Sequence, residues 1–341
     1  MATIPAVMRA ARYFGPREFR VVEVSRPDPG PAESLVRVRA AGLCHSDLHI
    51  IFDELGGYPI PTPLTLGHEI AGDVVAVGDA VDPSLIGQRV AVFGPAGCGQ
   101  CRYCREGRDH LCIASRPLGL ARDGGYADYV VVPAHALVPV PNGVSDAEAA
   151  VATDAVLTPF HALTRVGQLR PGETVAIIGV GGLGLNAVQI AKALGAFVIA
   201  VDVVPAKLEL AKQYGADRVV DSRQLDPAHP PVDRPITLVA DFVGAEATKL
   251  LAQQLVARGG RVVMVGLATP GGTMLGLRLI ADEVAVLGSF WGTRQELATV
   301  LDLIARGLIR PQVETHPLDE IGQWVERLRA GEVTSRVALV P

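Results

Sequence analysis

Four cysteines carry the clearest chemical signal in this chain. Cys98, Cys101, Cys104 and Cys112 follow the spacing C-x2-C-x2-C-x7-C within Gly- and Arg-rich sequence. Four thiolates close a tetrahedral shell around zinc and leave no position open for substrate. Such a site stabilises the loop that carries it, because its binding free energy is realised only in the folded chain. An iron–sulfur cluster is the competing reading. The bacterial ferredoxin run places three residues before its fourth cysteine and a proline after it; here seven intervene and Ile113 follows. Zinc in a structural role matches better. The fifth cysteine, Cys44, lies in Gly42-Leu43-Cys44-His45-Ser46-Asp47-Leu48-His49, with Gly67-His68-Glu69 downstream. Taken singly these are ordinary residues; together they supply a thiolate, imidazoles and carboxylates. A catalytic zinc needs three protein ligands and one open position.

A second kind of chemistry is written in glycine. Gly179-Val180-Gly181-Gly182-Leu183-Gly184 fits G-x-G-x-x-G, directly after the apolar run Thr174 to Ile178 and at the start of a helical pattern. Glycines there permit a tight turn, close approach of backbone to a pyrophosphate and close helix–strand packing, and the helix N-terminus offers free N–H groups. Asp202 closes the next strand 18 residues after Gly184. A carboxylate at that place accepts both ribose hydroxyls and repels a 2′-phosphate, which favours NAD over NADP. Lys207, one helical turn on, either touches the ribose or is a solvated helix lysine.

The elements that must position these groups fall into two textures. Up to about residue 150 the chain reads as short strands between turns, among them Leu35 to Ala40, Asp73 to Val77, Arg89 to Phe93 and Tyr129 to Val132, with loops holding most of its Cys and His. After Asp146 strands alternate with helices. Thr174 to Ile178, Val198 to Val201, Arg218 to Val220, Leu238 to Val243 and Arg261 to Val265 read as strands; Leu183 to Leu194, Ala206 to Tyr214 and Lys249 to Leu255 read as helices. That alternation means βαβ units and a parallel sheet. A helix from Gln295 and a strand from Ser335 to Val340 form a tail that the pattern alone does not place.

Composition excludes several classes. The 341 residues suggest about two domains. With 31 Lys+Arg against 36 Asp+Glu the net charge is −5, and only 5% of residues are aromatic, so the field and stacking surfaces for nucleic acid are lacking. Hydrophobic residues at 49% are too many for a disordered chain. The apolar region Thr174 to Val204 resembles a membrane span, but its five glycines and central Lys192 fit a buried strand–helix–strand unit instead. Met1 to Arg20 has no apolar stretch long enough for a signal peptide. An odd, clustered set of cysteines argues for metal ligation in a reducing compartment, and the cytoplasm is the expected address.

GLCHSD, GHE, the four-cysteine lobe and GVGGLG, in this order, resemble the zinc-dependent medium-chain alcohol dehydrogenases over essentially the whole chain. The resemblance implies an α/β protein: a GroES-like, β-rich catalytic domain over 1–155 and 289–341, with a structural zinc lobe at 94–115, and a Rossmann NAD-binding domain over 156–288. The tail would return to the catalytic half. Cys44 and His68 become ligands of a catalytic zinc. Many members supply a third cysteine before the nucleotide domain; this chain has none left. Its TDAVLTPFHA resembles a bacterial secondary-alcohol branch with Asp there, which makes Asp154 the third ligand, with a helix N-cap as the alternative. One thiolate and one carboxylate balance the 2+ ion. Glu69 becomes either a support behind His68 or an exchanging ligand.

The same resemblance implies NAD-dependent oxidation of alcohols, in the class of EC 1.1.1.1. Zinc lowers the pKa of the alcohol, and hydride passes to the nicotinamide. Ser46 and His49 match a proton relay through the cofactor ribose, and Asp47 would orient His68 through its other ring nitrogen. Thr158, Phe242, Val243, Leu267, Trp291 and Arg336 match cofactor contacts. Ile60, Phe93, Ala96, Leu120, Phe290 and Trp291 would line an apolar substrate pocket suited to hydrophobic secondary alcohols or ketones. A homo-oligomer is expected, a tetramer before a dimer, with two zinc ions per chain and no nucleic-acid or membrane partner. A polyol or threonine dehydrogenase on the same scaffold is the runner-up, a zinc-free quinone reductase a weaker one, and a non-catalytic NAD-sensing protein the alternative from another class.

Overall fold

Alternation of apolar and charged residues marks strand in the LVRVRA run of the first part of the chain. The computed structural model describes residues 4–54, 59–226, 232–269 and 271–341. It divides into two units: Met1–Asp154, Thr293–Arg306 and Pro311–Pro341, and then Ala155–Gly292 with Gly307–Arg310. Ala155, 289–292 and 307–310 therefore group with the second unit.

In the first unit β1 (Val7–Gly15) and β2 (Glu18–Ser25) form an antiparallel hairpin. β3 (Glu33–Leu43) contains the LVRVRA run, with Val36 and Val38 buried and Arg37 and Arg39 exposed. A short helix, α1 (His45–Ile51), follows where a loop is expected from the sequence. Next come β4 (Leu64–Thr65), β5 (Glu69–Val77) and β6 (Arg89–Val92), the small helix α2 (Arg102–Arg105) of the cysteine lobe, β7 (Tyr129–Pro133) and β8 (Leu137–Pro139).

A helical run then begins with α3 (Asp146–Val151). Its Ser145 N-cap and Glu148 form a capping box. A π-helical turn over Ala152–Val156 interrupts it before α4 (Leu157–His161).

The second unit is built on parallel strands: β9 (Thr174–Ile178), β10 (Phe197–Asp202), β11 (Arg218–Asp221), β12 (Leu238–Asp241), β13 (Arg261–Met264) and β14 (Ala285–Gly288). They lie in the order β11-β10-β9-β12-β13-β14. Helices α5 (Gly184–Ala193), α6 (Pro205–Gln213), α7 (Glu246–Leu255) and α8 (Gly276–Ala281) connect them. Every residue of the TVAII strand is buried, as a strand covered on both faces requires. The apolar stretch Thr174 to Val204 is thus strand, turn, helix and strand. Among the described residues no helix is long and apolar enough to cross a membrane.

The tail that periodicity left unplaced belongs to the first unit. α9 (Arg294–Ala305), α10 (Ile321–Arg329), β15 (Val313–Pro317) and β16 (Arg336–Val340) complete it. Its main sheet runs β15-β16-β3-β5-β6-β8, with β7 also on β3. Trp324, Val325 and Leu328 of α10 pack into the same core as Val36, Ile70 and Val92.

The glycine turn of the second unit generates a stability prediction. A Cβ on Gly184 would lie 1.8 Å from the Gly179 carbonyl oxygen, so helix and turn approach as closely as backbone allows. Gly184→Ala is expected to destabilise the protein by about 3 kcal/mol. A denaturant midpoint equal to wild type would contradict this packing.

Candidate active site

Strand register assembles the first cluster. Gly42 of β3 pairs with Glu69 of β5, and Leu43 pairs with Val337 of β16. Cys44, directly after β3, His68, directly before β5, and Arg336, at the start of β16, therefore converge at one end of the sheet. Gly42 makes room for this: a Cβ there would lie 2.0 Å from the Glu69 carboxylate. Asp154 reaches the same place from the π-helical turn, a local widening often found at functional sites. It is a residue inside a helical run and not an N-cap.

One donor atom from each of Cys44, His68, Glu69 and Asp154 lies within 4.8 Å of the others. All four residues are buried. Asp154 Oδ2 is 3.6 Å from Cys44 Sγ and 3.6 Å from His68 Nε2. Donors about 2.0–2.3 Å from a tetrahedral ion are about 3.3–3.8 Å apart. Asp154 Oδ2 thus lies from both Cys44 Sγ and His68 Nε2 at the separation expected of two donors on one tetrahedral zinc. Burial alone would lower the His68 pKa, but the Asp47 and Asp154 carboxylates raise it well above the ordinary histidine value. A cluster with such a pull on positive charge suits a divalent cation.

The surrounding groups hold these donors in place. Asp47 Oδ1 lies 3.6 Å from His68 Nδ1, and Asp47 Oδ2 accepts from the Cys44 backbone N–H at 3.0 Å. Glu69 takes the guanidinium of Arg336, and both are buried. Burial drives the Glu69 carboxyl up to about 7 against the pull of Arg336. Ser46 Oγ donates to Cys44 Sγ at 3.1 Å and lies 3.5 Å from His68 Nε2. His49, on the same helix, has Nδ1 2.8 Å from Glu54 Oε2.

Sequence reasoning missed Tyr126. Its fully buried hydroxyl donates to Asp47 Oδ2 at 2.7 Å, with Gly42 O a further acceptor at 2.9 Å. A lone tyrosine after Gly124-Gly125 carries no periodic signal that would have found it. Arg336, matched by the resemblance to a pyrophosphate contact, pairs with Glu69.

The four-cysteine lobe is gathered as its spacing implies, with donor sulfurs within 4.8 Å of one another. Cys98 N–H donates to Cys112 Sγ at 3.2 Å and Cys101 N–H to Cys98 Sγ at 3.3 Å. The Cys104 backbone N–H draws the Cys101 thiol down to about 6, while burial and the Cys101 thiol push Cys104 up to about 12. Sulfurs that compete in this way for protons fit a shared cation.

In the second unit Gly179 adopts φ +83°, and a Cβ on it would meet Val243 at 2.4 Å. Around Gly181 the space is open; the nearest atom to a Cβ there would be Lys207 Nζ at 4.0 Å. This is the cradle a pyrophosphate needs. Asp202 ends β10, and its carboxylate accepts from the N–H groups of Val180, Val203 and Val204 at 2.8–3.0 Å. Thr158 and Trp291 are buried, whereas Leu267 and Phe290 are exposed. Phe290 and Trp291 meet edge to face at 5.8 Å. Of the expected pocket residues, Phe93 and Ala96 are buried in the first unit, where Ile60 and Leu120 pack half-buried against its core.

Tyr126→Phe removes the hydroxyl that steadies Asp47 behind His68. Metal retention against a chelator is expected to weaken about tenfold. Unchanged retention would mean that Asp47 needs no such support.

Comparisons with known proteins give the family. Residues 30–142 match the family described as "Alcohol dehydrogenase GroES-like domain" and residues 182–306 the one described as "Zinc-binding dehydrogenase". The chain is 38% identical over 329 residues to an alcohol dehydrogenase of Geobacillus stearothermophilus, covering 95% of this chain and 96% of that one. It is 36% identical over 352 residues to an NAD-dependent alcohol dehydrogenase of Sulfurisphaera tokodaii, covering 95% and 100%. The solved structure of an acetophenone reductase from Geotrichum candidum in complex with NAD matches with a TM-score of 0.93 at 42% identity, over 100% of this chain and 99% of the other. That of the Aeropyrum pernix alcohol dehydrogenase matches at 0.91 and 36% identity, over 98% and 100%. With its metal-donor clusters, its glycine turn and relatives of this closeness along its length, the chain belongs to the zinc-dependent medium-chain alcohol dehydrogenase family.

Proposed function

We propose that this protein is an NAD-dependent, zinc-dependent alcohol dehydrogenase that interconverts hydrophobic secondary alcohols and their ketones. The observation that carries the reading is the meeting of Cys44, His68 and Asp154 donors within 4.8 Å, although 110 residues separate Cys44 from Asp154. Bound zinc would supply Lewis acidity to the alcohol oxygen, and NAD the acceptor for its hydride. The protein's own residues do the rest. Cys44, His68 and Asp154 hold the ion; Asp47 and Tyr126 hold His68. Ser46 Oγ would accept the alcohol proton as it gives up its own to the coenzyme ribose, and His49, paired with Glu54, would receive the proton from that ribose and pass it to solvent. The turn at Gly179–Gly184 seats the pyrophosphate, and Asp202 takes the ribose hydroxyls.

The apolar Phe93, Ala96, Ile60, Leu120, Phe290 and Trp291 favour a hydrophobic substrate over a polyol or threonine. Likeness to a protein named as an acetophenone reductase supports an aryl ketone among the substrates. Two zinc ions per chain are proposed, the second in the four-cysteine lobe. A homo-oligomer, tetramer before dimer, is proposed as well. Leu277 and Ile280 of α8 are 84% and 79% exposed, and β14 pairs only with β13 among the described residues, leaving an open sheet edge. The five cysteines are free, as suits the cytoplasm, the proposed address.

Purified protein given 1-phenylethanol and NAD+ is expected to form NADH, with polyols and threonine much poorer. Asp154→Ala is expected to abolish turnover and to lower zinc from about two to about one per chain with folding intact. Retained turnover would place the third ligand elsewhere. Asp202→Gly is expected to raise kcat/KM for NADP relative to NAD by about tenfold; a constant ratio would contradict the ribose assignment.

A further inference from the structure

Lys249 sits on α7 with only 8% of its surface exposed, and its ammonium group makes its hydrogen bonds away from the helix it stands on. Its Nζ donates to Thr269 O at 2.6 Å, to Thr269 Oγ1 at 3.2 Å and to the Gly271 carbonyl. An ammonium group has three donors and costs free energy to bury unless all are used. Here all three hold the segment that leaves β13. The same face of α7 holds that segment twice more. Glu246 accepts from the Thr273 N–H at 2.9 Å, and Gln253 donates to Thr273 O at 2.8 Å and accepts from Leu275 N–H at 2.9 Å. Gly272 lets it close on the lysine stem: a Cβ there would lie 2.8 Å from Lys249 Cδ.

The clamp continues to the glycine turn. Thr269 donates through both N–H and Oγ1 to Gly244 O at 3.1 Å, and Ala268 N–H donates to Val243 O at 3.1 Å. Val243 lies against Gly179, where a Cβ would come within 2.4 Å of its Cγ2. A chain of contacts thus runs from Lys249 through Thr269 and Gly244 to the first glycine of the turn. In the order β11-β10-β9-β12-β13-β14 the connections reverse between β9 and β12. Open α/β sheets bind dinucleotides at that reversal, across the carboxyl ends of the strands. Asp202 marks the adenosine side, on β10. The ends of β12 and β13, which Lys249 secures, form the opposite side.

We infer that Lys249 is a positioning residue for the nicotinamide half of the coenzyme, acting through Thr269 on the loops that follow β12 and β13. This rests on the NAD reading above. Lys249 does not touch the coenzyme; it fixes the wall against which the nicotinamide ribose and ring are seated.

The test is equilibrium binding of NADH and of AMP to the purified full-length protein. Lys249→Met is expected to weaken NADH binding about tenfold or more while leaving the AMP affinity within a factor of two, roughly. Lys249→Gln, which keeps an amide donor, is expected to fall between, and it serves if the methionine variant does not fold. Thr269→Val, which breaks the link to Gly244, should cost NADH a few-fold and AMP nothing. Equal weakening of both ligands would make Lys249 a general support of the fold and overturn the inference, as would an unchanged NADH affinity. If wild type bound neither NADH nor AMP, the coenzyme assignment itself would fall.

Discussion

Burying charge without compensation is the constraint around which the first unit is organised. Asp47 and Glu69 are fully buried, and Cys44, His68 and Asp154 nearly so, within a few ångströms of one another. An uncompensated carboxylate in such surroundings is costly, whereas one that is paired or that ligates a cation is tolerated. Arg336 answers Glu69, the Tyr126 hydroxyl and the Cys44 N–H answer Asp47, and the remaining donors point at a common centre. Each compensating group comes from a different element. The sheet, the π-helical turn and α1 are held in relation by the same electrostatic need that defines the site.

The second unit solves a different problem by removing side chains. Gly179 and Gly184 leave no room for a Cβ, whereas Gly181 has open space beside it. The first two bring turn, strand and helix into contact; the third leaves open space beside the backbone. Asp202 contributes before any ligand binds, because it accepts the Val180 N–H and shapes the turn that it borders. The carboxylate proposed to meet the ribose is thus already part of the fold.

Much of this was legible in the residues. The cysteine spacing, the glycine turn in its strand–helix context and the alternation after Asp146 are local patterns, and local patterns survive in a one-dimensional reading. The donor set Cys44, His68 and Asp154 came from resemblance, since no periodicity links positions so far apart. Three features stayed hidden for physical reasons. The order of strands in the first unit depends on antiparallel pairings between distant segments, as β3 with β16 shows. The π-helical turn at Asp154 differs from an α-helix by a single hydrogen-bond step and leaves no mark in composition. Tyr126 and the Glu69–Arg336 pair are buried polar contacts, whose partners are chosen by tertiary geometry alone.

Arg336 lies on β16, and Leu43 pairs with that strand, yet residues 155–292 are interposed between the two in the order of the chain. A ribosome therefore makes five of the seven strands of the first unit's main sheet, then nearly all of the second unit, and only afterwards the strand that neutralises Glu69. Domains tend to fold as units as they emerge. The six strands of the second unit lie in one continuous stretch and can pair while the first unit still lacks the partner of Glu69. During translation, the end of the sheet that holds Cys44, His68 and Glu69 is completed only after the second unit's strands have been made.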